Sequence, residues 1–361
     1  MTDRPADVLP AGAEAILAEC APLVDAFAAA GRRLYLVGGL VRDLYGGTAL
    51  DEVDLDFTTD APPSEVKAAM GPIAEALWTQ GERFGTIAAK VGGRLIEITT
   101  HRAEAYDPES RKPAVVFADD VLVDLSRRDF TINALAIELT AGTPRLIDPF
   151  DGVGDLRSQV LRTPLQPSES FSDDPLRMMR AARFVARLGV VPAPDVVAAM
   201  TAMNARLDVV SHERVRDELD KLLGVADPRS GLELLVTTGL ADRCLPELVD
   251  GPIDAVVAAR PDAHFRLAVL LAGHGESAAR HRLRSLRHAG QVVDRVARLV
   301  SVASSVGGHG PVWTDGELRR LAHRAGAHLA DVVELLGLVG LPNTVVAALR
   351  SALADLAKRD D

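Results

Sequence analysis

"LVGGLVRDLYG", Leu36 to Gly46, and "EVDLDFTT", Glu52 to Thr59, lie close together in the first sixth of the chain, and the fold turns on how they are read. The first stretch is a short β-like run, a glycine pair and a helix start. It is not a dinucleotide fingerprint, because no third glycine follows at the required spacing and no βαβ alternation continues. Two readings stay open. Gly38 and Gly39 make a tight turn, or they let backbone N–H groups approach a phosphate at the start of a helix whose dipole favours an anion, with Arg42 adding a fork of donors. In "VDLDF", Asp54 and Asp56 alternate with Val53, Leu55 and Phe57, so on a strand both carboxylates leave one face while the apolar residues enter the core. That pattern fits ordinary surface alternation. It also fits a site for a hard cation such as Mg²⁺, which offsets the repulsion of two close carboxylates and keeps positions open for phosphate oxygens. Glu97, in "LIEIT", has apolar neighbours on another strand candidate, so its carboxylate either faces solvent or joins the same site.

Outward from these motifs, Ala15 to Ala30 is apolar at helical spacing and leads into the strand "RLYLV". "GTIAAKV", "RLIEITT" and "ALAIEL" are further strand candidates, and "APPSEVKAAM" reads as a helix with proline near its start. Past "RLIDPFDGVGDL" the pattern turns helical, at Asp174 to Leu188, Asp195 to Asn204, His212 to Leu223 and most of the remaining chain. The change falls near residues 145–165, so an α+β head precedes an all-helical remainder. "YDPESRKPAVVF", Tyr106 to Phe117, is polar and punctuated by prolines, and reads as a mobile loop.

A chain of 361 residues is expected to hold more than one domain. No apolar run reaches the length that spans a bilayer, and "MTDRPADVLP" lacks a basic stretch followed by an apolar core, so a soluble, cytoplasmic protein is expected. Cys20 and Cys244 show no zinc spacing and cannot make a disulfide framework; both read as small buried residues in a reducing compartment. The net charge of −11 argues against simple coating of nucleic acid, but it is unevenly spread. Residues 251–361 hold 14 Lys and Arg against 11 Asp and Glu, and the remainder 26 against 40. The densest basic stretch is "RHRLRSLRH", where a helix carries Arg280, Arg284 and Arg287 along one face, either as a solvated surface or as an RNA contact. The stretch "HFRLAVLLAGHGESAARHRLRSLRHAG" contains no adjacent His-Asp pair with metal spacing, and His264, His274 and His281 read as surface or core residues.

Glycine pair, D-x-D one strand later and a carboxylate on a neighbouring strand are the parts of the DNA polymerase β-like nucleotidyltransferase superfamily. From about Leu34 to Leu223 the chain resembles the class II CCA-adding enzyme and bacterial poly(A) polymerase family. The ordered motifs are "LVGGLVRDLYG", "EVDLDFTT", "FGTI", "EITTHR", "RRDFTINALAIEL", "DPFDGVGDL", "DDPLRMMRAARFVARLG" and "ERVRDEL". The resemblance implies a polymerase-β-like head with a mixed sheet and flanking helices over 1–150, a helical neck over 151–225, and a helical body and tail over 226–361. It implies that Asp54 and Asp56 bind two Mg²⁺ ions, with Glu97 as the third catalytic carboxylate. In "RRDFTINA" it implies that Arg127, Arg128, Asp129 and Asn133 contact triphosphate and ribose. Arginine forks suit phosphates, and a carboxylate with an amide suits ribose hydroxyls.

"DDPLRMMRAARF" carries its own chemical argument. Asp174 and Arg177 are three apart, which on a helix is one face, and Arg180 continues it. Cytosine and adenine each present an amino donor beside a ring-nitrogen acceptor, while uracil and guanine present the reverse. A fixed carboxylate beside a fixed guanidinium therefore accepts C and A, and leaves buried polar groups unpaired against U and G. The alternative is a plain intrahelical ion pair. The resemblance implies a protein template, usually written E-D-x-x-R; Asp173 here replaces the glutamate. It also puts a flexible loop linked to the switch toward ATP at residues 106–117, with Arg111 or Lys112 as its lever. Glu213 and Arg214 read as packing and scaffolding residues.

The function implied is addition of C, C and A to the 3′ end of tRNA from CTP and ATP, with the acceptor stem gripped by backbone contacts and duplex shape. Poly(A) addition and the split CC-only or A-only activities are the near alternatives, and a catalytically silent RNA-binding protein is the distant one.

Overall fold

The computed structural model describes residues 9–10, 12–47, 55–105, 114–140, 142–306 and 310–360; Asp54, Arg111 and Lys112 lie outside them. The chain divides into two compact units, residues 1–173 with 190–196 and residues 174–189 with 197–361.

The first unit is α+β. In chain order it contains α1 (Ala13–Ala29), β1 (Leu34–Val37), α2 (Gly39–Gly46), β2 (Leu55–Thr59), α3 (Pro63–Met70) and β3 (Ala76–Trp78). Then come β4 (Thr86–Val91), β5 (Arg94–Thr100), β6 (Arg102–Ala105), β7 (Ala114–Phe117), α4 (Val121–Ser126), β8 (Ala136–Glu138), β9 (Arg145–Ile147), α5 (Gly152–Ser158), β10 (Val160–Leu161) and α6 (Pro167–Asp173). Seven strands form one mixed sheet in the order β3-β4-β5-β2-β1-β8-β9. Within it β2 and β5 run parallel, and the other neighbours antiparallel. Period-two alternation divides the side chains between two faces. Leu34, Leu36, Leu55, Phe57, Ile96 and Ile98 pack in one core with Phe27 of α1, Leu40 and Leu44 of α2 and Val66 of α3. Tyr35, Val37 and Ala136 make a smaller core with Val121 and Leu125 of α4.

The second unit is helical. It holds α7 (Leu176–Leu188), most of α8 (Pro194–Met203), α9 (His212–Leu223), α10 (Arg229–Thr237), α11 (Ala241–Cys244) and α12 (Ile253–Ala258). It continues with α13 (Ala263–Leu271), α14 (Gly275–Ser285), α15 (Gly290–Ser304), α16 (Asp315–Ala325), α17 (Leu329–Leu338) and α18 (Asn343–Asp360). Arg266 on α13 is 1% exposed, and its guanidinium donates to the carbonyls of Leu223, Val225, Ala226 and Ala259. It thereby satisfies carbonyls left over at and just after the end of α9, which a buried helix terminus cannot leave to water. Cys20 and Cys244 are free and buried, and burial pushes both thiols up to about 12. Among the described residues no helix is long and apolar enough to cross a membrane.

Three sequence expectations change. The helix expected from Asp174 to Leu188 begins only at Leu176, with α6 ending at Asp173. Pro175 is the reason: its ring disfavours helical backbone at the residue before it, and Asp174 Oδ1 instead accepts a hydrogen bond from Leu176 N at 3.1 Å. The loop expected over Tyr106 to Phe117 ends in a strand, since β7 pairs antiparallel with β6; "AVVF" is β-branched and aromatic enough to make one. Finally, α14 stops at Ser285, and Arg287 has a left-handed φ of 61°, so it does not continue the helical face of Arg280 and Arg284.

Candidate functional site

In the first unit, the parallel register pairs Asp56 on β2 with Glu97 on β5. Paired residues of adjacent strands point to the same face, with the strands about 4.8 Å apart in the hydrogen-bonding direction, so the two carboxylates are neighbours on the face opposite Leu55, Phe57, Ile96 and Ile98. Glu97 is exposed and Asp56 half-buried. Gly38 caps α2 with a φ of 84° and lies directly under Asp56: a Cβ at this position would stand 2.9 Å from Asp56 Oδ2. Only glycine combines that left-handed backbone with that approach. The next glycine, Gly39, leaves room for Arg42, whose Nη2 would be 3.2 Å from an added Cβ. A divalent cation fits the residues present. Asp56 and Glu97 offer hard oxygen donors on one face, and glycine at position 38 adds no side chain against Asp56.

Arg42 is nearly buried, donating from Nε to Asp43 Oδ1 at 2.8 Å and from Nη1 to Asn133 Oδ1 at 2.9 Å. Asn133 in turn donates from Nδ2 to Asp129 Oδ1 at 3.0 Å, and Asp129 Oδ1 also accepts from Phe130 N. The glycine-turn motif and "RRDFTINA" are therefore one hydrogen-bonded chain, Arg42 to Asn133 to Asp129. A brace holds the second motif from outside: Thr131 donates to Asp155 Oδ2 at 2.6 Å, and a Cβ on Gly152 would meet the Thr131 carbonyl at 2.2 Å. That close approach explains the first glycine, Gly152, in "DPFDGVGDL".

Arg127 and Arg128 both point at Asp124 of α4. Arg127 Nη2 donates to Oδ1 at 2.7 Å and Arg128 Nη2 to Oδ2 at 3.1 Å. Burial would raise the Asp124 carboxyl, but Arg128 and Arg127 outweigh it and hold the group at about 2. Sequence reasoning missed Asp124, although its spacing of three and four residues before the arginines is the signal for such pairs. It also passed over His101, a fully buried residue whose Nδ1 lies 2.8 Å from Thr58 Oγ1 and whose Nε2 has no hydrogen-bond partner among the described residues. Burial pushes His101 down to about 4, so the ring is neutral at physiological pH.

In the second unit, Asp174 stands ahead of α7 and Arg177 is in its first turn, tied by an Arg177 N to Asp174 O bond of 3.0 Å. Asp174 Oδ2 accepts from Arg214 Nη2 at 2.7 Å. Arg214, expected to serve packing, is 53% exposed and holds the Asp174 carboxylate. Arg177 is 7% exposed. Arg180 lies 3.5 Å from Glu218 Oε1, and Glu218 also accepts from Arg183 Nε at 2.7 Å. The structure thus places Asp174 and Arg177 within one turn of each other at the start of α7 and sets Arg180 against α9. Further along, Arg280, Arg284 and Arg287 line one cleft of about 550 Å³ with His212 and His281, although Arg287 is off the helix.

Comparison with known proteins matches these features. The family model described as "Poly A polymerase head domain" covers residues 34–162, and that described as "Probable RNA and SrmB- binding site of polymerase A" covers residues 189–250. A CCA-adding enzyme of Levilactobacillus brevis is 39% identical over 64% of this chain and 56% of its own length. One of Lactobacillus delbrueckii subsp. bulgaricus is 35% identical over 67% of this chain and 62% of its own. The chain thus matches less than two thirds of the length of these relatives. Among solved structures, the Bacillus stearothermophilus CCA-adding enzyme in complex with CTP superposes with a TM-score of 0.73 at 29% identity, covering 94% of this chain and 82% of that one. The Thermotoga maritima CCA-adding enzyme in complex with tRNA shares the fold at a TM-score of 0.73 and 20% identity, over 98% of this chain and 87% of that one. The two family models together take in just over half of the chain, and it belongs to the polymerase-β-like nucleotidyltransferase family that contains the poly(A) polymerase head domain and the CCA-adding enzymes.

Proposed function

We propose that the chain is a CCA tRNA nucleotidyltransferase, adding C, C and A in turn to the 3′ end of tRNA from CTP and ATP in the cytoplasm. The observation that carries this reading is the pairing of Asp56 with Glu97 over Gly38, joined to an arginine-bearing turn that is hydrogen-bonded to "RRDFTINA". The relatives and the CTP-bound neighbour support it. In this reading residues 1–150 are the catalytic head, 151–225 the neck, and 226–361 the body and tail that hold tRNA.

The 3′-oxygen of the RNA attacks the α-phosphorus of the nucleotide in line, the hydroxyl proton leaves, and the bond to the β-phosphate breaks to release pyrophosphate. Two Mg²⁺ ions, when bound, lower the pKa of that hydroxyl and offset the charge gathering on the phosphates. Asp54, Asp56 and Glu97 are the ligands that would hold them. Gly38 and Gly39 let the triphosphate approach the backbone, with Arg42, Arg127 and Arg128 as cationic partners held in place by Asn133 and Asp124. Asp129 and Asn133 orient the ribose. Asp174 and Arg177, supported by Arg180, read the amino group and ring nitrogen of C or A. Arg111 and Lys112 belong to the loop that changes the preference toward ATP. The cleft of Arg280, Arg284 and Arg287 offers cations to the RNA backbone.

Incubation of the protein with a tRNA transcript ending at the discriminator base, Mg²⁺, CTP and ATP tests this at single-nucleotide resolution. Arrest at +3 is the expected outcome. Arrest at +2, a requirement for a CC end, or a long A ladder would assign the chain to one of the other activities of the family.

A further inference from the structure

Away from both motifs, three segments of the second unit converge on a group outside the residues assigned above to nucleotide transfer. Asp220 stands near the end of α9, His264 is the second residue of α13, and His288 lies just beyond α14. Among the described residues, these three bring their ligand atoms within 4.8 Å of one another. His264 Nε2 is 3.6 Å and His288 Nδ1 is 3.9 Å from the same oxygen, Asp220 Oδ2. Both distances are too long for hydrogen bonds. They are close to the separation of about 3.3 Å between ligand atoms around a tetrahedral ion with arms near 2.0–2.1 Å.

Three further observations mark the group as built. The His288 side chain is 3% exposed, and its position is fixed by the backbone: His288 N donates to Leu283 O at 3.0 Å, and Arg287 is held at a φ of 61° with its carbonyl accepting from Arg216 Nη1 at 2.6 Å. The two imidazoles meet edge to face, with centroids 5.6 Å apart. Asp220 Oδ1 is buried and accepts no hydrogen bond from the described residues, which a carboxylate tolerates only where a positive group compensates it.

We propose that Asp220, His264 and His288 bind one zinc-type transition-metal ion, with water in the fourth position. Two imidazoles and one carboxylate suit Zn²⁺ or Co²⁺, whereas Mg²⁺ takes an oxygen-only octahedral shell. The ion clips the segment beyond α14 onto α9 and α13. It thereby fixes Arg287, the residue just before His288, on the wall of the basic cleft.

Co²⁺ alone, titrated into the metal-stripped full chain, tests the site through the intense visible absorption of four-coordinate cobalt. One equivalent with that absorption is expected in the unaltered chain and in Asp56→Asn, and none in His264→Gln or His288→Gln. His264 is partly exposed, so His264→Gln keeps the fold and serves as the reference should His288→Gln not fold. Zn²⁺ should displace the cobalt, and it should raise the thermal midpoint of the unaltered chain but not of His264→Gln. Absorption that survives His264→Gln, or only the weak absorption of six-coordinate cobalt in the unaltered chain, overturns the assignment.

Discussion

Asp56 and Glu97 are set by the register of a sheet, whereas Asp174 is set by a proline and an exposed arginine. Moving either strand by one residue would turn its carboxylate to the other face, so the pair is as fixed as the sheet itself. The groups around it are equally committed: Arg42 to Asn133, Asn133 to Asp129, and both Arg127 and Arg128 to buried Asp124. The segment of Asp174 and Arg177 combines a buried half with one held from the surface. Arg177 is 7% exposed, while Asp174 depends on Arg214, a side chain 53% exposed. Under the proposed function, phosphoryl transfer is the same reaction for C and for A, and a rigid frame would serve it. In the proposed reading, recognising a pyrimidine and then a purine requires Asp174 or Arg177 to shift, and the acidic one is the one held from solvent.

The largest effect is expected on the rigid side. Asp56→Asn should lower incorporation of both CTP and ATP by about 10³-fold or more, the scale of losing a group that stabilises transition-state charge, with the thermal midpoint nearly unchanged. Single-turnover primer extension measures it; normal turnover would remove Asp56 from the metal assignment. Next comes the base-reading pair. Arg177→Lys keeps the charge but loses the planar fork, so discrimination of CTP over UTP should fall by about 10²-fold, as expected when a site no longer leaves the wrong base's polar groups unpaired. The ratio of kcat/KM for the two nucleotides is the readout, and a ratio equal to that of the unaltered chain would reduce Arg177 to a packing residue.

How far these two regions are legible in the sequence differs for physical reasons. The strands β1, β2, β4, β5 and β8 are legible because alternation and bounding glycines are local signals, and Glu97 is recognisable as a carboxylate that has to face solvent or a site. What alternation cannot carry is partnership across the chain. Nothing in "RRDFTINA" says that Asn133 receives a bond from Arg42, 91 residues earlier, and nothing in "SHERVRDEL" says that Arg214 reaches back 40 residues to Asp174. Asp124 is within reach of sequence reasoning, since its spacing to Arg127 and Arg128 is local. The helix break at Asp174 is also there to be read, in Pro175. The pairing of His264 with His288 is not, because their convergence on Asp220 depends on how α9 and α13 pack.

The third effect is on stability and tests whether the sheet side is as unyielding as its contacts indicate. His101 is buried and neutral, with a folded-state pKa depressed from about 6.5 to about 4, first by burial and also by Arg33 and Arg128, while Asp124 and Asp60 oppose the shift. Above pH 6.5 its neutral form is present in folded and unfolded chains alike, and its contribution is complete. As pH falls from 6.5 toward 4 the unfolded chain takes up a proton that the folded chain refuses, so stability declines, on the order of 3 kcal/mol for a shift of this size. Denaturant unfolding across that window, compared between the unaltered chain and His101→Gln, should give the steeper decline in the unaltered chain. Equal slopes would mean that the buried ring has room to accept its proton.

The smallest effect is expected from Arg214, and it bears most directly on the contrast between the two regions. If the exposed guanidinium only holds Asp174 in place, Arg214→Gln removes a charge-assisted bond from a carboxylate that keeps its Leu176 N–H donor. The loss should then be modest, about 10-fold in kcat/KM, or roughly 1.4 kcal/mol. The diagnostic feature is its distribution between nucleotides. A hold that must be released and remade between additions affects CTP and ATP unequally, because only one of them is read in the orientation that the Arg214 bond fixes. An Asp174→Ala background should abolish the difference, since Arg214 would have nothing left to hold. Equal losses for CTP and ATP would instead make the Arg214–Asp174 pair part of a fixed ruler, and would move the adjustable element elsewhere in the protein.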